Sequence, residues 1–160
     1  MLNLKLRDEF LDSQTPGTAI ALRRTDNMGA AQQGPEQILS ITYPTADVQT
    51  ALRAISNSRA QRPIMLMGER GRGKSHIMAV MHHAVEFSDR VQKWANEWGN
   101  RLGLQPLGEL VLESGFVAIS EPVHNHEYPL LWDLIFERHP KGDFFKGQFK
   151  QTARPYPPRS

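Results

Sequence analysis

The stretch "GERGRGKS", Gly68 to Ser75, constrains this chain more than any other. A glycine, four variable residues, then Gly73, Lys74 and Ser75 form the spacing of a phosphate-binding loop. A triphosphate is dense negative charge, and it has to be enclosed without steric conflict. Glycines let the backbone curl until several N–H groups point inward. Gly68, Gly71 and Gly73 are available for this, and a helix beginning near Ser75 would add its free N–H groups and the positive end of its dipole. Lys74 would reach the outer phosphates as a mobile point charge, and the Ser75 hydroxyl would ligate magnesium. Glu69, Arg70 and Arg72 fill the variable positions of the nucleotide-binding set. They read first as solvated loop charges, with Arg70 and Arg72 as possible sources of positive potential. His76 follows directly and reads as a packing residue.

The surroundings of the loop set the expected fold. "IMLM", residues 64 to 67, is a short apolar run between Pro63 and Gly68, as a buried strand would be. After the loop, Ile77, Met81, Ala84 and Val85 recur at helical spacing. Ser88 or Asp89 is placed to cap a second helix carrying Val91, Trp94 and Trp98. The two tryptophans read as core or interface anchors. "GFVAIS", residues 115 to 120, reads as another buried strand, and "LLWDLIFERH", residues 130 to 139, as an amphipathic helix. Upstream, Thr45 is an expected N-cap for a helix with Asp47 in its first turn and Val48, Leu52 and Ile55 on one face. This order predicts an α/β fold, a parallel sheet with crossover helices of the P-loop NTPase type. It also divides the chain into an N-terminal extension (1–37), a nucleotide-binding region (38–140) and a basic, Pro-rich, flexible tail (141–160).

Composition narrows the chemistry. There is no cysteine among the 160 residues, which removes disulfides, cysteine zinc sites and thiol catalysis. Basic side chains number 19 against 17 acidic ones, too small an excess to argue for nucleic acid by itself. No apolar run approaches the ~18 residues of a membrane span, and the opening residues do not read as a signal peptide. A cytoplasmic protein is expected. His124 and His126, with Glu127 adjacent, could present two imidazoles on one side of an extended segment. No third metal ligand stands at a matching spacing, so a polar loop is the favoured reading. His82 and His83 diverge by about 100° on a helix and are not a chelating pair. Basic and aromatic residues interleave in the tail, from Lys141 and Phe144 to Tyr156, where direct nucleic-acid contact is conceivable; a junction to a further region is the favoured reading.

Three stretches taken together, "ITYPTADVQTALRAI", "PIMLMGERGRGKSHIMAVMHHA" and "FVAISEPVHNHEYPLLWDLIFER", resemble the N-terminal part of large bacterial AAA-type ATPases. These are the family catalogued as domain of unknown function 499 and its relatives in phage-exclusion (BREX) islands. The resemblance spans roughly residues 38 to 139. It implies ATP and Mg2+ as ligands, a nucleotide-driven role in phage defence or DNA handling, and other subunits of such a complex as partners. Members of that family are far longer, so the resemblance also implies a fragment of a longer ATPase.

Binding a nucleotide is not breaking it. Hydrolysis needs an acidic residue at a strand end to support magnesium and a carboxylate to polarise water. The nearest text is "FVAISEP", with Glu121, and then "ELVLES", with Glu113; neither supplies the aspartate. Glu121 is therefore only a weak catalytic candidate, and Arg138 reads as a surface charge rather than an arginine finger. The leading expectation is ATP binding without efficient turnover. Alternatives are a non-catalytic P-loop interaction module and a DNA-replication or loading-type ATPase.

Overall fold

In the computed structural model, the described residues are 34–56, 63–104, 107, 110–120 and 130–152. They contain six helices: α1 (Pro35–Ser40), α2 (Ala46–Ser56), α3 (Lys74–Glu86), α4 (Ser88–Leu102), α5 (Leu131–Arg138) and α6 (Gly142–Thr152). No β-strand occurs among the described residues. The expected α/β class, with its parallel sheet, is therefore corrected to a helical architecture.

The reason lies in the two runs read as strands. A strand of a parallel sheet is packed on both faces and hydrogen-bonded along its edges. Residues 64–67 form no ladder and are largely open to solvent, with Met65 80% and Met67 83% exposed. Residues 116–120 likewise form no ladder, and they are fastened by side chains instead. The Ala118 N–H donates to Glu86 Oε1 at 2.5 Å, and Ser120 Oγ lies 3.2 Å from His82 Nδ1. Both partners stand on α3, one turn apart, so the segment lies along that helix.

α3 occupies the middle of the helical core, packing against α1, α2 and α4. Its inward face carries the small residues Ala79, Val80 and Ala84 together with His83, all of them buried. That face lets the neighbouring helices approach closely. Ile38 and Leu39 of α1, Val48 and Leu52 of α2, and Val91, Trp94 and Ala95 of α4 complete the cluster, with Leu107 and Leu110 beyond. α2 starts as its sequence predicts, since the Val48 N–H donates to Thr45 Oγ1 at 3.3 Å. α4 starts one residue earlier than expected. Ser88 is inside the helix, and Phe87 is the N-cap without a side-chain hydrogen bond. α4 ends at Gly103, which takes a left-handed conformation (φ 65°) suited to glycine.

α5 and α6 pack on each other. Trp132, Phe136 and Phe149 form an aromatic triangle with ring centroids 5.6 to 6.3 Å apart. The turn between the helices needs a residue without a side chain. A Cβ on Gly142 would lie 1.7 Å from the Phe136 carbonyl oxygen. The Phe-rich stretch that composition reads as a flexible tail is thus helical from Gly142 to Thr152.

Candidate phosphate site

The loop leads from residues 64–67 into the first turn of α3. Its glycines adopt positive φ: 150° at Gly68, 81° at Gly71 and 78° at Gly73. Gly73 is the N-cap of α3 in left-handed conformation, a state that costs other residues about 1 kcal/mol or more. No side chain caps this helix start. The first α-helical bond here runs from the Ile77 N–H to the Gly73 carbonyl at 3.0 Å. The N–H groups of Lys74, Ser75 and His76 precede it and have no acceptor within a helix that begins at Lys74.

The Lys74 side chain folds back over the loop. Its Nζ donates to the Gly68 carbonyl oxygen at 2.8 Å and to the Glu69 carbonyl oxygen at 2.5 Å. The ammonium therefore sits across the curl of the loop, at the same end as the free helix N–H groups. Glu69 and Arg72 form an exposed ion pair, 3.3 Å apart, so part of the variable charge is neutralised locally. Arg70 is exposed, and so is Ser75. A curled backbone, a lysine folded over it and a helix N-terminus with an exposed serine can receive an oxyanion, and Ser75 can give one oxygen ligand to a hard cation.

His76 does more than its sequence context suggests. Burial lowers the pKa of its imidazole from the ordinary 6.5, and its Nε2 lies 2.8 Å from Thr42 Oγ1. Thr42 is itself buried, with Oγ1 2.6 Å from the Ile38 carbonyl oxygen. Nothing local predicts this pair, because 34 positions separate its members.

The other candidates are scattered. Glu121, His124, His126 and Glu127 lie outside the described residues. Glu113 is exposed and directly follows Leu112, whose N–H donates to Gln92 Oε1 of α4. His82 and His83 have different tasks: His83 is fully buried, whereas His82 faces Ser120. Trp94 is buried in the core as expected, and Trp98 is half-buried, edge-on to Tyr43 at 5.2 Å with Arg101 over its ring. Among the described residues, no group of three or more His, Cys, Asp or Glu could hold a metal ion. No helix among them is long and apolar enough to cross a membrane. Two cavities are formed elsewhere, about 480 Å³ between α1 and α4 and about 730 Å³ beside the α5–α6 turn; neither is lined by the loop.

No protein-family model, no curated protein and no solved structure matches this chain at the significance required.

Proposed function

We propose that the chain binds Mg-ATP through Gly68 to Ser75 and turns it over at no more than a trace rate. The observation carrying this reading is the placement of Lys74 Nζ over the carbonyls of Gly68 and Glu69, within a loop whose three glycines all have positive φ. Lys74 would leave those carbonyls for the outer phosphates. The backbone N–H groups at the start of α3 would take the inner phosphate oxygens, and Ser75 Oγ would ligate Mg2+. When bound, Mg2+ would neutralise charge shared between phosphate oxygens.

The resemblance to AAA-type ATPases supports the choice of ATP, a role in phage defence or DNA handling, and subunits of such a complex as partners; a cytoplasmic setting is proposed from the cysteine-free composition. The parallel sheet that it implies forms no part of the proposal. Efficient hydrolysis is not proposed, because the loop's own carboxylate, Glu69, faces Arg72 and the sequence offers no Asp-Glu pair after an apolar run.

A ligand that binds only the folded state raises the unfolding temperature by mass action. Mg-ATP is expected to raise that of the unaltered chain and leave that of Lys74→Ala unmoved. Equal shifts in both proteins would contradict the assignment.

A further inference from the structure

The first turn of α3 has an orientation problem that the loop does not solve. Gly73 provides no side-chain cap, and the residues before it are exposed. Yet the direction of the free N–H groups and of the Ser75 hydroxyl depends on how this turn is rotated and tilted. Ser75 and His76 point about 100° apart on the helix. Ser75 is exposed, whereas His76 turns inward to Thr42.

The hydrogen-bond directions follow from counting protons. The Ile38 carbonyl can only accept, and Thr42 Oγ1 lies 2.6 Å from it. The single hydroxyl proton of Thr42 is therefore used there. Thr42 Oγ1 must accept from His76, so the imidazole carries its proton on Nε2. The acceptor is itself fixed: Thr42 and Pro44 are buried, and Tyr43 packs against Trp98 of α4. His76 thus ties the turn that carries Lys74 and Ser75 to the linker between α1 and α2, in which Thr42 and Pro44 are buried.

We propose that His76 is a positioning residue of the phosphate site: its Nε2–H bond to Thr42 fixes the first turn of α3 and so sets nucleotide affinity without touching the nucleotide. This rests on the phosphate-loop reading above. The chain from Ile38 through Thr42 to His76 makes the α1–α2 linker part of the binding apparatus.

The test is calorimetric titration of the full chain with Mg-ATP, with the thermal midpoint of each protein measured alongside. His76→Ala and the isosteric Thr42→Val each remove the bond, and each is expected to weaken binding about fivefold, as for one net hydrogen bond. The double variant is expected to be no weaker than either single, because both remove the same interaction. His76→Gln, whose amide can donate from nearly the same place, and Thr42→Ser, which keeps the acceptor, are expected to recover most of the affinity. Should His76→Ala fail to fold, Thr42→Val against Thr42→Ser decides the matter.

Lower thermal midpoints with unchanged affinity would overturn the proposal, as would additive losses in the double variant. If Lys74→Ala abolishes binding while His76→Ala and Thr42→Val bind normally, the phosphate-loop reading survives and this inference falls. If the unaltered chain binds no Mg-ATP, both fall together.

Discussion

Lys74 donates its side-chain proton to the carbonyl of Gly68, six residues earlier, at 2.8 Å. The residue that opens the loop thereby holds the cation that ends it. A second bond to the Glu69 carbonyl makes the arrangement bidentate. Such a loop has a defined shape, and its shape and its charge can be perturbed separately.

Gly73 tests shape. At φ 78° a β-branched residue is strained, although a Cβ there would meet no neighbouring atom. Gly73→Val is therefore expected to distort the start of α3 and weaken Mg-ATP binding more than Arg72→Ala does. The Arg72 side chain is 73% exposed and already paired with Glu69. Side-by-side binding curves decide; a greater loss in Arg72→Ala would mean that charge outweighs backbone shape here.

Acid should loosen the helical core. Burial lowers the pKa of both His76 and His82 from 6.5, with Glu86 partly opposing it at His82. In the unfolded chain both rings take up protons near that value, before the folded rings do. Their contribution to stability is thus present above pH 6.5 and is lost as pH falls through the lower folded pKa values. The urea midpoint is expected to be lower at about pH 5.5 than at about pH 7.5, and the difference should shrink in His82→Gln. A midpoint that rises on acidification would contradict the sign.

Gly142 tests the second helical pair. Its backbone sits so close to Phe136 that an added methyl group would meet the carbonyl oxygen. Gly142→Ala is expected to separate α5 from α6 at a cost of about 1–3 kcal/mol. Trp132 stacks on Phe136 and leans on Phe149, so its fluorescence reports the change. An unaltered emission spectrum and unfolding curve would show that the turn accommodates a side chain.

Three helices of the core, α2, α3 and α4, are legible in the sequence because their signals are local; α1 is not, since its first residues, up to Gln37, read as part of a Gly- and Pro-containing loop. Thr45 sits three residues before the Val48 N–H that it caps, and Val48 and Leu52 fall on one buried face. Val91 and Trp94 do the same for α4. Runs such as 64–67 and 116–120 read as strands because four apolar residues in a row have no usable period. A strand is defined by distant hydrogen-bond partners, and here the segment near Ala118 is taken up by the side chains of α3 instead. α6 was missed for a similar reason. Glycine, lysine and phenylalanine look like a linker until Phe149 meets Trp132 and Phe136. At the loop, the glycine spacing carried the position of Lys74, while the Thr42–His76 bond left no local trace.

Turnover should be very slow. Most catalysis of phosphoryl transfer is electrostatic positioning, and the loop's own carboxylate, Glu69, is paired with Arg72. Phosphate release by the purified chain is expected to match that of Lys74→Ala within background. Robust release dependent on Lys74 would contradict this and make Glu121, then Glu113, the residues to substitute.

The most direct measurement is calorimetric titration of Mg-ATP into the unaltered chain and into Lys74→Ala under identical conditions. Lys74 lies at the loop rather than in the hydrophobic cluster, so the variant is expected to keep the helical fold, checked by circular dichroism. The predicted result is saturable heat with one site per chain in the first protein and none in the second. Equal affinity in the two folded proteins would contradict the claim that this loop binds the nucleotide.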